Sequence, residues 1–247
     1  MRGKTIELEV FRYNPEVNSE PAYQQYQVPV QPDWLVLDAL NYVKDHLDRT
    51  LSFRWSCHMG VCGSCGMMVN GEPTLTCKAF VRDYPGRIRI EPLANFPVER
   101  DLVVDQDDFM AKLGSIKPYI IDPDEAPLSE GEKQQTPEQL AVFKQYTACI
   151  NCLLCYSACP QYSLAEGFIG PAALTLAQRY NTDSRDQGFR ERVSRVGSDD
   201  GVWQCSFVGA CSEVCPNGVD PAAAIQQAKI ASAAHYFKKH LMPWSES

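Results

Sequence analysis

Among the 247 residues of this chain the side chains best suited to chemistry are its 11 cysteines, which fall into three groups. The first, within RWSCHMGVCGSCGMMVNGEPTLTCK, is spaced Cys57-x4-Cys62-x2-Cys65, with Cys77 following after a hairpin-sized gap. The second, CINCLLCYSACP, holds Cys149, Cys152, Cys155 and Cys159. The third, CSFVGACSEVCP, holds Cys205, Cys211 and Cys215; it overlays the second at every cysteine but one, where Val208 stands opposite Cys152. An odd number of cysteines, behind an opening MRGKTIELEV that has no apolar signal region, points to thiolates kept reduced in a cytosol rather than to a disulfide framework.

The C-x4-C-x2-C spacing with a distant fourth cysteine is that of plant-type 2Fe-2S loops, so Cys57, Cys62, Cys65 and Cys77 are candidate ligands of one such cluster. Gly60, Gly63 and Gly66 interleave with them and, lacking a Cβ, let backbone N–H groups approach sulfur. Four cysteines also suffice for structural zinc, although zinc sites typically use two separated C-x2-C pairs. His58, beside a ligand position, reads as a loop residue. The C-x2-C-x2-C-x3-C-P run is the bacterial ferredoxin pattern, in which the fourth cysteine ligates the other cluster of a pair. Cys149, Cys152 and Cys155 therefore take Cys215 as partner in a 4Fe-4S site. By the same crossing Cys159 joins Cys205 and Cys211, and Val208 offers no fourth sulfur. Three thiolates suit a 3Fe-4S cluster; a four-iron cluster with a non-cysteine or solvent ligand is the alternative. Together the three sets use every cysteine once.

The elements that must position these groups differ along the chain. Ile6, Leu8 and Val10, then Tyr26, Val28 and Val30, then Ile88 and Ile90, alternate as strands do. Asp33 is the expected N-cap of a helix through DWLVLDALNYVKDHL, with Leu37, Leu40, Tyr42, Val43 and Leu47 on one face. The Asn-Gly pair of GMMVNGEPTL predicts a tight hairpin. Beyond residue 105 the alternation stops. QTPEQLAVFKQY, FIGPAALTLAQRY and DPAAAIQQAKIASAAHYF read as helices, the last begun by Asp220 and Pro221. The Pro- and acid-rich IDPDEAPLSEGEKQQTPEQ reads as an exposed connection. The expected domains are residues 1–105, holding the 2Fe-2S site, and residues 106–247, helical and holding the other two.

A net charge of −8 without a Lys/Arg-rich run argues against a nucleic-acid partner. No stretch approaches the roughly 18 apolar residues of a membrane span. The chain has no G-x-G-x-x-G after a strand and no P-loop, so flavin, nicotinamide and nucleotide sites are expected on partners.

The sequence resembles the iron-sulfur subunits of the succinate dehydrogenase and fumarate reductase family along essentially its whole length. RWSCHMGVCGSCGMMVNGEP, ANFPVERDLVVD, IKPYII, CINCLLCYSACP, FIGPAALTLAQRY and CSFVGACSEVCPNGVDPAAAIQQAK carry the resemblance. CPQY and DPAAAIQQAK look closer to bacterial fumarate reductase, and CPQYSLAEG lacks the Trp common after this CP in the dehydrogenases. The resemblance implies an α+β protein: an N-terminal plant-type ferredoxin-like (β-grasp) domain and a C-terminal, mostly helical bacterial ferredoxin-like domain. It also implies a complex with a FAD-carrying flavoprotein, which holds the substrate active site, and two hydrophobic membrane anchors that share menaquinone. This chain would contribute no catalytic residue and would lie peripherally on the cytoplasmic face of the bacterial inner membrane. Electrons from menaquinol would reach FAD through the 3Fe-4S, 4Fe-4S and 2Fe-2S clusters for fumarate reduction in anaerobic respiration. The reverse, succinate-oxidising direction of the tricarboxylic acid cycle shares the same architecture, ubiquinone could replace menaquinone, and the chain could serve another flavin dehydrogenase. Ile225, Gln226, Gln227, Ala228 and Lys229 are the implied quinone contacts; i, i+3 spacing sets Gln226 and Lys229 on one helix face.

Overall fold

In the computed structural model of this protein, residues 5–123 and 131–241 are described; positions 1–4, residues 124–130 of the expected connection and the last six positions lie outside the described residues. Contacts divide the chain into two compact units. The first is Met1–Gln106 with Ile150–Ala158, the second Asp107–Cys149 with Cys159–Ser247.

In the first unit, β1 (Thr5–Arg12) pairs antiparallel with β2 (Ala22–Pro29), and helix α1 (Val36–Tyr42) follows. The hairpin of β3 (Gly66–Val69) and β4 (Glu72–Leu75) turns at Asn70 and Gly71, whose φ values of 50° and 86° meet the demand of a tight two-residue turn. Strand β5 (Ile88–Glu91) lies parallel to β1 and antiparallel to β3, giving a sheet in the order β2-β1-β5-β3-β4. A small ribbon of β6 (Val98–Arg100) and β7 (Val103–Val104) completes the strands. Leu8, Val10, Val28, Ile88 and Ile90 face Val36, Ala39, Leu40 and Val43 in one core. Alternation thus buries one sheet face under the helix.

The helix starts later than Asp33. Leu35 is still extended, bridged to Phe80, so the first helical residue is Val36 and the Asp38 carboxylate accepts the Leu35 N–H at 2.8 Å. Asp33 instead pairs with Arg82 at 3.1 Å on the surface. The expected apolar face also breaks at its end: Val43–Leu47 winds as a wider π turn, the phase of the 3.6 repeat slips, and Leu47 is left exposed.

The second unit is helical: α2 (Asp107–Ser115) and α3 (Pro137–Phe143), then, beyond α4 (Leu154–Ser157) of the first unit, α5 (Pro160–Leu164), α6 (Pro171–Asn181), α7 (Phe189–Val196), α8 (Ala210–Glu213) and α9 (Pro221–Leu241). Thr136 and Gln139 form a reciprocal capping box on α3, at 3.2 and 2.9 Å. Asp220 caps α9 as the sequence predicts, accepting the Ala223 N–H at 2.9 Å and the Ser212 hydroxyl at 2.6 Å. Helix α6 packs along α9, and the fully buried Arg192 of α7 pairs with Asp186 at 2.7 Å while donating to the Lys117 and Tyr119 carbonyls.

The approach to the first cysteine loop is fixed by Arg12. Its guanidinium binds Asp48 at 2.5 Å, Asp101 at 3.1 Å and the Tyr26 hydroxyl at 2.6 Å; Asp101 in turn accepts the Ser52 N–H at 2.8 Å. Burial opposes ionisation of Asp48, but hydrogen bonds from Thr50, Tyr26 and Arg12 hold its carboxyl well below the ordinary value of 3.8. Replacing Arg12 by Met strands two carboxylates, and we expect a loss of about 3 kcal/mol in urea unfolding at neutral pH. A carboxylate with a depressed folded value stabilises above its unfolded value and ceases to as pH falls through the folded one. The gap between Arg12→Met and the parent should therefore narrow below pH 3.8.

Candidate metal centres

The loop of the first cysteine group is folded around its own sulfurs. Backbone N–H groups of Val61 and Cys62 donate to Cys57 Sγ at 3.3 Å, that of Met59 at 3.5 Å, and that of Cys57 to Cys62 Sγ at 3.5 Å. Residues in the left-handed region make this convergence: His58, Gly60 and Gly63 have φ of 58°, 73° and 75°. The hairpin does the rest. Because Gly66 pairs with Leu75, Cys65 and Cys77 emerge together at its open end, and Thr76 donates to the Cys65 carbonyl through both its N–H and its hydroxyl. The Gly60 N–H reaches Cys77 Sγ, which neighbours Cys65 and Cys57. The structure thus gathers all four predicted residues.

Their environments differ. Burial, with Cys65 beside it, pushes the Cys77 thiol up to about 12, whereas the hydroxyl of Ser64 and the N–H groups of Cys57 and Ser64 draw Cys62 down to about 6. Ser64 was missed in the sequence, where a hydroxyl between two spaced cysteines was the only signal. His58 is a loop residue whose Nε2 lies 3.0 Å from Asp38.

The two aligned stretches repeat in conformation as well as in spelling. Asn151 and Leu153 have φ of 53° and 67°, and their counterparts Phe207 and Gly209 have 60° and 90°. Each pair is followed by a one-turn helix, Leu154–Ser157 in one and Ala210–Glu213 in the other. Leucine and phenylalanine rarely adopt positive φ. In the second copy the turn aims an N–H group at sulfur, that of Phe207 reaching Cys205 Sγ at 3.4 Å. Cys152 and Cys155 belong to the first unit, where Asn95 Nδ2 donates to the Tyr156 and Ser157 carbonyls at 2.9 and 3.2 Å and holds α4. Cys149 and Cys215 belong to the second and pack on one apolar cluster of Phe143, Tyr146, Val219 and Ala224.

Cys159, Cys205 and Cys211 line a single cavity, and Val208 lines the same cavity. Burial raises the Cys159 thiol and pushes Cys211 up to about 11, with the other sulfurs as neighbours. Sulfurs grouped this way and met by N–H donors fit iron-sulfur clusters, whose thiolate and sulfide sulfurs accept such bonds. Among the described residues no three His, Cys, Asp or Glu side chains are placed to hold a single metal ion; cluster thiolates stand around a polyatomic core.

Residues 7–111 match the family of 2Fe-2S iron-sulfur cluster binding domains, and residues 145–219 match the 4Fe-4S dicluster domain. The chain is 58% identical over 240 residues to the fumarate reductase iron-sulfur subunit of Mycobacterium tuberculosis, covering 97% of each protein. The chain belongs to the fumarate reductase iron-sulfur subunits. The succinate dehydrogenase iron-sulfur subunit of Coxiella burnetii is more distant, at 37% identity over 88% of this chain and 93% of that one. A chain of the Mycobacterium smegmatis Sdh1 complex in its apo form shares the fold, with a TM-score of 0.85 at 25% identity over 95% of this chain and 98% of that one. The expected pairing of a plant-type ferredoxin-like domain with a helical bacterial ferredoxin-like domain is therefore the fold of this iron-sulfur subunit.

The implied quinone contacts of this subunit have distinct surroundings. Ile225 and Ala228 are buried, and Ile225 lines the cavity of the three cysteines. Gln227 Oε1 accepts from the Tyr146 hydroxyl at 3.1 Å and from Gln178 at 3.3 Å. Lys229 Nζ donates to the Cys205 carbonyl at 2.7 Å. Gln226 Nε2 is buried with no hydrogen-bond partner among the described residues.

Gly63 tests the fit of the loop. A Cβ there would stand 2.9 Å from the Ile150 carbonyl and 3.0 Å from Cys152, whereas one at Gly71 would meet nothing within 4 Å, although both residues have positive φ. Both alanine variants should lose about 1–2 kcal/mol to backbone strain. Gly63→Ala alone should also lower iron and acid-labile sulfide per chain, because the backbone of the second cysteine group must move.

Proposed function

We propose that this chain is the electron-transfer subunit of a membrane-bound quinol:fumarate reductase, with Cys57, Cys62, Cys65 and Cys77 holding a 2Fe-2S cluster, Cys149, Cys152, Cys155 and Cys215 a 4Fe-4S cluster, and Cys159, Cys205 and Cys211 a 3Fe-4S cluster. Bound clusters supply one-electron chemistry, and on this reading electrons pass from menaquinol by way of the 3Fe-4S, 4Fe-4S and 2Fe-2S sites to FAD on a partner flavoprotein, where fumarate becomes succinate. Two membrane anchors hold the chain at the cytoplasmic face of the inner membrane; among the described residues no helix is long and apolar enough to cross one.

The single observation that carries the three-iron assignment is the position of Val208. It lines the cavity shared by Cys159, Cys205 and Cys211, in the turn where the first copy has Cys152. Its isopropyl group cannot ligate iron, so three thiolates face that cavity. The backbone turn is retained although the ligand is not: Phe207 and Gly209 still hold positive φ. Quinone is assigned to the neighbouring α9 face. The orphaned Gln226 amide supports this, because a buried donor without an acceptor costs about 1–3 kcal/mol and a quinone carbonyl would satisfy it. The greater identity to fumarate reductase than to succinate dehydrogenase subunits favours the reductive direction.

An EPR redox titration of the anaerobic complex should give a three-iron signal when oxidised, then 2Fe-2S and 4Fe-4S signals on reduction. Val208→Cys should abolish the oxidised signal, install a four-iron centre of lower potential and slow exchange with quinol; an unchanged three-iron signal in that variant would falsify the ligand assignment. Gln226→Leu should leave thermal stability unchanged or slightly raised, while quinol-driven fumarate reduction falls roughly tenfold, the equivalent of one hydrogen bond. An unaltered rate would remove Gln226 from the quinone site.

A further inference from the structure

Helix α2 carries a network to which the cysteine spacing assigns no role, with Lys112 and Tyr162 buried and the Asp108 side chain exposed at its edge. Lys112 is 7% exposed, and its ammonium donates to Asp108 Oδ2 and to the Glu166 carbonyl, each at 2.7 Å. The Tyr162 hydroxyl donates to the same Asp108 oxygen at 2.5 Å, and the Lys112 ammonium lies 4.6 Å from the centre of the Tyr162 ring. A buried ammonium is tolerated only when it is paired and hydrogen-bonded, and here a carboxylate, a carbonyl and an aromatic ring meet it together. Tyr162 sits within α5 and Glu166 just beyond it, so α2 grips this short helix along its length.

What α5 presents in return is backbone. Cys159 immediately precedes it, and the Cys159 sulfur accepts the N–H groups of Gln161 and Tyr162. The Gln161 side chain donates to Ser206 Oγ at 3.1 Å, fastening α5 to the loop that follows Cys205. Tyr162 therefore gives its N–H to the sulfur and its hydroxyl to the network, and the placement of one fixes the other. The aligned copy has nothing equivalent: after Cys215 the chain runs Pro216, Asn217, Gly218 without a helix.

We propose that Asp108 and Lys112, acting through Tyr162, are positioning residues that set the reduction potential of the centre held by Cys159, Cys205 and Cys211. The inference rests on the three-thiolate reading above. Hydrogen bonds to cluster and thiolate sulfur favour the reduced, more negative state, so the potential rises with their number and alignment. Without its anchor at Asp108, Tyr162 lets α5 tilt, both N–H···S bonds lengthen, and the potential falls.

The test is EPR redox titration of the assembled complex with variants that leave net charge unaltered, since a lone charge change would move a potential by Coulomb interaction alone. Tyr162→Phe keeps the ring over Lys112 and removes one oxygen. The paired change Asp108→Asn with Lys112→Gln neutralises both partners at once. Both should shift the midpoint of the three-iron signal downward and leave the 2Fe-2S and 4Fe-4S midpoints in place, and combining all three changes should add little. A three-iron signal at its parental potential in Tyr162→Phe, with only the melting temperature lowered, would mean the network serves folding alone and would overturn the inference. If the paired variant fails to assemble, Tyr162→Phe decides by itself. Absence of a three-iron signal from the parent complex would instead overturn the three-thiolate reading, and this inference with it.

Discussion

A thiolate sulfur held inside a protein carries negative charge away from water, and the donors most readily brought to it are backbone N–H groups of its own loop. Several such groups can point to one side only where the chain alternates into the left-handed region. That requirement shapes the loops of Cys57 and Cys205, whose sulfurs accept N–H groups of their own turns. His58, Asn151, Leu153 and Phe207, four side-chain-bearing residues in an unfavourable backbone region, all stand within two positions of a cysteine. Leu153 and Phe207 have no polar side chain to compensate locally, so their strain is borne by the surrounding structure.

The rest of the fold can be understood as what holds these loops. In the first unit, Arg12 binds Asp48 and Asp101 across the approach to the loop, and the hairpin fixes Cys65 against Cys77. Asn95, itself at a φ of 68°, ties down α4 beside Cys155. In the second unit, Asn217 Nδ2 donates to the Ala148 carbonyl at 2.8 Å, next to Cys149, and Ser212 links α8 to the cap of α9. Rigid helices and sheet carry few of the sulfurs themselves; they fix loop ends, and the loops present the thiols.

The paired stretches show how much of a site is backbone. Where the second copy lacks a cysteine it keeps the turn, the two positive φ values and the one-turn helix. A single side chain thus changes the number of thiols in the copy without altering the frame. After the fourth cysteine the copies part, one continuing into α5 and the other into a turn at Gly218, and different surroundings for the two C-terminal sulfurs follow from that local divergence.

Much of this was legible from spacing alone, because cysteine ligation and the Asn-Gly turn are short-range demands that leave a signature within a few residues. The convergence of Cys57, Cys62, Cys65 and Cys77, the hairpin, the sheet alternation and the helix begun by Asp220 belong to that class. What needed the tertiary structure involved partners far apart in sequence. The start of α1 moved from Asp33 because Leu35 is bridged to Phe80, and Leu47 lost its place on the helix face because a π turn intervened. The grip of Asp108 and Lys112 on Tyr162, and the orphaned amide of Gln226, have no local signature at all. Sequence determines which groups can bind iron; only packing decides which buried polar atoms find a partner, since that depends on every neighbour the fold brings within hydrogen-bond reach.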